Sequence, residues 1–338
     1  MKAVYYITDH GLGHASRTVA ITRELLKKKA TVIIRNDDPI SFFRQSLQDV
    51  KIVKGKTDFG PVMDKNNPMK IDDVKTGEKV SKWIKHLPDM IEKESKFIKK
   101  ERPDFIISDI SIMPLLLAEK NKIPSAAVSN FVWSDTLKLD SKQNEFFKNA
   151  YDSADLIIKL PFGSEMKFQN RKKFGLVARN VTTTRKDIRK KLVISDNEKL
   201  VIIALGGFKK QIPIKHGKSV KILDISDYAT VMKLKKAVNF VEGQNLINAS
   251  DLVICKCGYG FTSECLSNNT PFRYILESTH SEALGIHKEL KKLGLDNKLS
   301  LHDLQRIEIN DKFIEDTNSR RITTANNKVA QAIMRIGK

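Results

Sequence analysis

Five runs in this chain, at 3–7, 105–108, 125–128, 200–205 and 252–255, are apolar at consecutive rather than alternating positions, save for Ser108 and Ser125 at the ends of two of them. A strand written this way is buried on both faces, so helices must cover both sides of its sheet. Segments of helical period lie between the runs. At 15–28, Val19, Ala20, Leu25 and Leu26 share a face, and at 78–100 Val80, Trp83, Ile84, Leu87, Ile91 and Ile98 do so, with Pro88 expected to kink the helix. Strands at 31–35, 50–53 and 155–160 and helices at 114–121 and 143–153 complete one alternation. Residues 54–76 read as a loop. A second alternation has strands at 200–205, 221–224, 237–241, 252–255 and 272–276, and helices at 186–192, 245–249, 261–268, 281–293 and 311–336. Alternation of this kind predicts an α/β fold with parallel sheets. Pro161-Phe162-Gly163 reads as the hinge, giving two Rossmann-like domains, 1–162 and 163–338, facing across a cleft, with the last helix free to pack back on the first domain.

A length of 338 residues suits two domains at roughly 100–200 residues each. No apolar run reaches the ~20 residues that span a bilayer; the run at 112–118 is broken by Pro114. The chain opens on a strand rather than a charged leader, and its three cysteines make no disulfide framework, so a cytoplasmic location is expected. Sixty Lys and Arg against 40 Asp and Glu leave a formal charge of +20. That favours an anionic partner, or else reflects a host rich in lysine with a solvated surface. No aromatic-interleaved RNA motif or helix-turn-helix pattern supports nucleic acid.

Three strand ends carry candidate chemistry. The first is Gly11-Leu12-Gly13-His14-Ala15-Ser16-Arg17, a glycine loop opening a helix, where backbone N–H groups can hold an anion. Gly11-x-Gly13-x-x-Ser16 falls short of the dinucleotide fingerprint by its third glycine, although Asp37 stands where a ribose-binding acid would. His14 is bulky and ionisable where a pyrophosphate needs bare backbone. It reads either as a packed helix-start histidine or as a general base. Asp109, at the carboxyl end of the run at 105–108, is its candidate orienting partner or else a helix cap.

The second strand end is Gly206-Gly207, a phosphate-facing pair or a plain turn. The third is Lys256-Cys257-Gly258-Tyr259-Gly260-Phe261-Thr262-Ser263-Glu264, where a Gly-x-Gly loop enters a helix. First-turn N–H groups there can hold a pyrophosphate. Glu264 can accept from ribose hydroxyls or simply stabilise the helix dipole. Cys255, Cys257 and Cys265 lack a fourth ligand of credible spacing, so no metal is expected.

The first and third blocks, with Pro271 and its strand following, resemble the GT-B glycosyltransferases. The nearest branch is the family-28-like group that includes the N-acetylglucosaminyltransferase of peptidoglycan assembly. The Gly-Tyr-Gly block also resembles the glycosyltransferase-like half of plant arabinokinases. The resemblance implies a nucleotide-diphosphate sugar of UDP type as donor, held mainly by the C-terminal domain. It implies an acceptor glycan, lipid or small molecule on the N-terminal domain, and no cofactor. His14 would be the base and Asp109 its partner. Gly11, Gly13, Gly206, Gly207, Gly258, Tyr259, Gly260, Phe261, Thr262 and Glu264 would line the donor side, with His280 and Glu282 near the donor sugar. The implied reaction is inverting transfer of a hexosyl group.

The segment from Phe208 to Ser219 departs from the family, being too short for a full helix and ending in another strand. Lys209, Lys210, Lys215 or His216 stand there as substitute charges. This departure leaves open a non-catalytic nucleotide-sugar-binding or scaffold protein, beside a non-hydrolysing nucleotide-sugar epimerase. The lysine-rich face at 78–100 offers contact with an anionic membrane carrying a lipid-linked acceptor.

Overall fold

The structure, a computed structural model, describes residues 1–65, 67, 70–206, 213–226, 242–277 and 280–338. They divide into two compact units. Unit 1 comprises 1–64, 71–177 and 325–338, and unit 2 comprises 65–70 and 178–324.

In unit 1 the chain runs β1 (Lys2–Ile7), α1 (Leu12–Lys27), β2 (Thr31–Asn36), α2 (Ile40–Ser46), β3 (Lys51–Lys54), α3 (Asp73–Glu101), β4 (Phe105–Asp109), α4 (Met113–Asn121), β5 (Ser125–Ser129), α5 (Trp133–Thr136), α6 (Ser141–Asp152), β6 (Leu156–Lys159) and β7 (Arg171–Lys173). All pairings are parallel, in the order β3-β2-β1-β4-β5-β6-β7. The strand order therefore reverses between β1 and β4, and a doubly wound sheet leaves its crevice at that point, beyond the strands' carboxyl ends.

Several features of unit 1 differ from the sequence reading. α1 begins at Leu12 rather than 15, because Gly11 takes φ 87° and ψ 151°, backbone territory essentially reserved for glycine, and turns the chain directly into the helix. α3 begins at Asp73, where Asp72 accepts the Lys75 N–H as a cap, and runs through Pro88 to Glu101. Pro161-Phe162-Gly163 lies inside unit 1 rather than at its border, since β7 still pairs with β6 beyond it. A Cβ on Gly163 would lie 1.7 Å from the Asn130 carbonyl oxygen, so glycine is required there by close approach.

Aromatic rings cluster within the core of unit 1. The Phe59 ring lies 5.3 Å from Trp83, 5.5 Å from Trp133 and 5.8 Å from Phe147, centroid to centroid. α3 contributes Val80, Trp83, Leu87 and Ile98 to this core, as its periodicity predicted. A polar clamp fixes the same helix to the sheet. Glu94 accepts from Tyr6 Oη at 3.1 Å and from Arg35 Nε and Nη2 at 2.6 and 2.8 Å.

Unit 2 runs α7 (Arg185–Lys191), β8 (Lys199–Ala204), β9 (Lys215–His216), β10 (Val220–Asp224), α8 (Gly243–Ala249), β11 (Leu252–Lys256), α9 (Tyr259–Asn268), β12 (Phe272–Ile275), α10 (Ser281–Lys292), β13 (Lys298–Leu299), α11 (Leu301–Arg306), β14 (Glu308–Ile309) and α12 (Asp311–Glu315). Its parallel sheet has the order β10-β8-β11-β12-β13, reversing between β8 and β11, and β9 pairs with β14 separately. The strand expected at 237–241 lies outside the described residues. The tail at 311–336 is two helices rather than one. α12 ends at Glu315, the Ile322 N–H then bonds the Leu266 carbonyl, and α13 (Asn326–Ile336) packs against α1 in unit 1.

Both tryptophans, Trp83 and Trp133, lie in unit 1, so their fluorescence reports on that unit alone. Glu94→Ala leaves Arg35 nearly buried opposite no carboxylate and is expected to lower the stability of unit 1 by about 3 kcal/mol in urea unfolding. The pair Arg35→Met with Glu94→Leu is expected to recover most of that loss.

Candidate active site

Three neighbouring strand ends build the first site. Asp109 is the last residue of β4, in register with Ile7 of β1 and Val128 of β5, and is fully buried. β5 ends one residue further, at Ser129, with Asn130 next. Above them lies the first turn and a half of α1, which places His14 and Arg17 on one face three residues apart.

His14 Nδ1 lies 2.5 Å from Asp109 Oδ1. Arg17 grips the same carboxylate with both prongs, Nε at 2.6 Å from Oδ2 and Nη2 at 2.6 Å from Oδ1. Its Nη1 donates to Asn130 Oδ1 at 2.7 Å, and its Nη2 lies 3.3 Å from Ser129 Oγ. Asn130 Nδ2 in turn donates to the Phe162 carbonyl at 2.9 Å, which is the work of the Pro-Phe-Gly turn. Burial acts to raise the Asp109 carboxyl, but the Arg17 guanidinium, and after it His14, outweigh burial and hold it below the usual carboxylate range.

The backbone after Asp109 is strained. Ile110 has φ 65°, a conformation that a β-branched residue rarely adopts, within a three-residue turn closed by the Ser111 N–H on the Asp109 carbonyl at 3.0 Å. Tyr151 Oη donates to the Ile110 carbonyl at 2.6 Å, and Ser111 Oγ to the Thr57 carbonyl at 2.6 Å. These bonds hold the turn, and with it the direction of the Asp109 side chain.

The sequence-based pairing of His14 with Asp109 is thus what the structure places together, with His14 on the helix rather than in the loop. The sequence pattern alone assigns no role to Arg17, Ser129 or Asn130. Arg17 stands within the motif, three residues from His14, and that spacing was the available signal. Gly11 is exposed at the loop and Gly13 sits in the first turn of α1.

A second buried carboxylate lies at the same sheet edge. Asp58 accepts the Trp133 indole N–H at 3.2 Å and the Phe59 N–H at 2.9 Å. Burial pushes its carboxyl up to about 6, against the bonds from Thr8, Phe59 and Trp133 that favour the charged form. Aromatic edges connect it to the dyad: Phe131 stands 6.0 Å from His14 and 5.4 Å from Trp133.

In unit 2, the ends of β8 and β11 flank the sheet's reversal point. Gly206, at φ 45°, follows β8 and is exposed, while Gly207, Lys209 and Lys210 lie outside the described residues. Gly258 precedes α9, whose first turn holds Tyr259, Gly260, Phe261 and Thr262. Tyr259 and Thr262 are buried, and Gly260 and Phe261 are partly exposed. Glu264 is buried too, with both oxygens on Arg179: Nε to Oε1 at 2.6 Å and Nη2 to Oε2 at 3.1 Å. A partner 85 residues away in sequence left no local signal. His280 caps α10, its Nδ1 accepting the Glu282 N–H at 3.4 Å. Lys215 and His216 lie exposed on β9. The three cysteines are free and buried, and among the described residues no cluster of His, Cys, Asp and Glu is arranged for a metal ion.

These two parallel-sheet units have known counterparts. The family profile for glycosyl transferase family 1 matches residues 1–169, and the chain belongs to that family. L-arabinokinase of Arabidopsis thaliana is 26% identical over 302 residues, which is 82% of this chain but 28% of that protein. Among solved structures, the glycosyltransferase SnogD of Streptomyces nogalater aligns with a TM-score of 0.62 at 11% identity, covering 100% of both chains. MurG of Acinetobacter baumannii aligns at 0.54 with 12% identity over 99% of each. The Streptomyces glycosyltransferase SsfS6, complexed with thymidine diphosphate, aligns at 0.57 with 11% identity over 99% of this chain and 95% of its own. At such identities the likeness is one of fold, which is the GT-B fold.

Asp58 generates a pH dependence whose sign is fixed. Its carboxyl titrates near 3.8 when solvated and at about 6 when folded. Between those values the unfolded chain binds fewer protons, so stability falls as pH rises, by about 3 kcal/mol in total. Asp58→Asn carries a pH-independent cost, because its amide faces a donor, but it removes this slope. Urea unfolding followed by tryptophan fluorescence from pH 5 to 8 is expected to show the variant gaining on the wild type as pH rises.

Proposed function

We propose that the protein transfers a hexosyl group, with inversion, from a nucleotide-diphosphate sugar of UDP type to an acceptor hydroxyl. The observation that carries this reading is the contact of His14 with the buried Asp109 at the reversal point of the unit 1 sheet. With the Nδ1 proton held by Asp109, His14 Nε2 receives the acceptor's proton as its oxygen attacks the anomeric carbon. The bond from that carbon to the diphosphate breaks in the same displacement, which inverts the centre. Negative charge then grows on the leaving diphosphate, where fixed N–H donors at a helix start stabilise it best.

In unit 2, the backbone of Gly258, Gly260 and the first turn of α9 is proposed as that cradle, with Gly206 beside it and His280 and Glu282 toward the sugar. The diphosphate bound by SsfS6 supports this class of ligand. Glu264 enters the proposal differently from the sequence expectation. With both oxygens on Arg179 it fixes α9 rather than a ribose. No metal or other cofactor is part of the proposal.

The acceptor is proposed to be presented at an anionic membrane. α3 exposes Lys75, Lys82, Lys85, Lys93, Lys96, Lys99 and Lys100 against the acids Glu78, Asp89 and Glu92, and among the described residues no helix is long and apolar enough to cross a bilayer. Sedimentation with vesicles containing phosphatidylserine is expected at low salt and lost at high salt. Absence of binding at low salt would remove this part of the reading.

A thermal-shift series with nucleoside diphosphates tests the donor site. At a hundredfold excess over Kd, a bound diphosphate adds about 2.7 kcal/mol to the native state. A Cβ at Gly258 meets nothing nearer than the Lys256 carbonyl at 3.9 Å, so Gly258→Ala is expected to fold normally while losing the shift. If no nucleoside diphosphate or sugar nucleotide moved the transition, the transferase reading would fall. Turnover of sugar nucleotide without acceptor would replace it with an epimerase.

A further inference from the structure

The hydrogen bonds around His14 cannot all be made at once. Its Nδ1 lies 2.5 Å from Asp109 Oδ1, an acceptor, and 2.6 Å from Arg17 Nη2, a donor. One nitrogen cannot both donate and accept in the ring plane. If Nδ1 carries hydrogen it donates to Asp109, and Nε2 presents a lone pair. If Nδ1 is bare it accepts from Arg17, Nε2 carries the hydrogen, and the ring offers no base to an acceptor. Arginine stays charged and donates from every nitrogen, so it cannot relieve the conflict by losing a proton. The same heavy-atom positions therefore hold a competent and an incompetent tautomer.

What separates the two is the destination of one N–H. Arg17 Nε and one hydrogen of Nη2 go to the two Asp109 oxygens, and Nη1 goes to Asn130 Oδ1. The second hydrogen of Nη2 has two acceptors near it, His14 Nδ1 and Ser129 Oγ at 3.3 Å. We propose that Ser129, acting through Arg17, selects the tautomer of His14: its hydroxyl oxygen takes the Nη2 hydrogen, which leaves the Nδ1 proton to Asp109 and the Nε2 lone pair to the acceptor.

Ser129 and Arg17 are thus positioning residues. The surroundings contain what such a selector needs. Ser129 is 2% exposed and stands at the end of β5, and its oxygen also accepts the Phe131 N–H at 3.2 Å. Asn130, held by the Phe162 carbonyl, pins the other end of the guanidinium. Facing the ring are Asp109 from β4, Arg17 from its own helix and the Phe131 edge from beyond β5. Tyr5 from β1 feels the same Arg17 and Asp109 charges, but burial keeps its phenol neutral. Asp9 is turned away to Asn36 Nδ2 and the Asp37 N–H.

The inference concerns the base of the proposed transfer, yet its test needs no turnover. In protein labelled with ¹⁵N-histidine, long-range proton–nitrogen correlation distinguishes a hydrogen-bearing ring nitrogen from a bare one, and His14→Gln identifies the His14 signals. At a pH where the ring is neutral, the wild type is expected to show hydrogen on Nδ1. Ser129→Ala is expected to move it to Nε2 in most molecules, and Ser129→Thr to restore the wild-type pattern. Arg17→Lys removes the fork, so adding Ser129→Ala to it is expected to leave hydrogen on Nδ1.

An unchanged tautomer in Ser129→Ala would overturn the proposal, as would the same move to Nε2 in the double variant. If the tautomer moves as stated while no sugar nucleotide is ever turned over, the selector stands and the transferase reading fails. Where transfer is measured, Ser129→Ala is expected to lower kcat at least tenfold with KM for the donor unchanged.

Discussion

A carboxylate buried at the end of a central strand is the constraint from which unit 1 takes its form. An ionised group such as Asp109 costs several kcal/mol to remove from water, and only a close, well-aimed counter-charge offsets that. Arg17 supplies it through two parallel bonds from α1, so the helix must lie over the ends of β1, β4 and β5 at a set height and rotation. Gly11 makes this possible by starting α1 at once after the loop. The strained turn at Ile110 makes it definite by fixing where the carboxylate points. His14 then meets Asp109 as a consequence of the same packing that neutralises it.

That arrangement links stability and chemistry in one cluster. Removing Arg17 strips a buried charge of its partner, and removing Asp109 does the same to Arg17, so neither change acts on His14 alone. Ser129 and Asn130 are less entangled, since each is neutral and each touches the guanidinium from the outside. The Pro-Phe-Gly turn belongs to this support. Gly163 lets the chain pass close against the Asn130 carbonyl, and the Phe162 carbonyl holds the Asn130 amide. Unit 2 solves a similar problem with a different pair, Arg179 on Glu264, which spends the glutamate on holding α9 in place.

Much of this was legible in the sequence because strands buried on both faces announce themselves as continuous apolar runs. β1, β4, β5, β8 and β11 fall where those runs do, and the glycine loops mark both reversal points. What escaped has physical reasons. β7 reads Arg-Lys-Lys and sits at a sheet edge, so no apolar signal marks it, and for that reason the sequence pattern places the domain border too early. β9 and β14 are two residues each. The tail read as one helix because its ends have helical period, while the extended stretch between them is held by bonds from Ile322 and Ala325 to distant carbonyls. At the site, His14 and Asp109 could be matched by their strand-end positions. The partners Arg179, Ser129 and Asn130 could not be placed, since nothing local to Glu264 or Arg17 names the group that meets it across the fold.

The proposed role of His14 is that of base in a sugar transfer, with no part in holding the donor. His14→Ala, assayed for transfer and for nucleoside-diphosphate binding on the same preparation, tests it most directly. Loss of a general base is expected to lower kcat by about 10²–10⁴-fold, with the Kd for the diphosphate unchanged. A variant that transfers sugar at the wild-type rate, or that loses diphosphate binding together with transfer, would contradict the account.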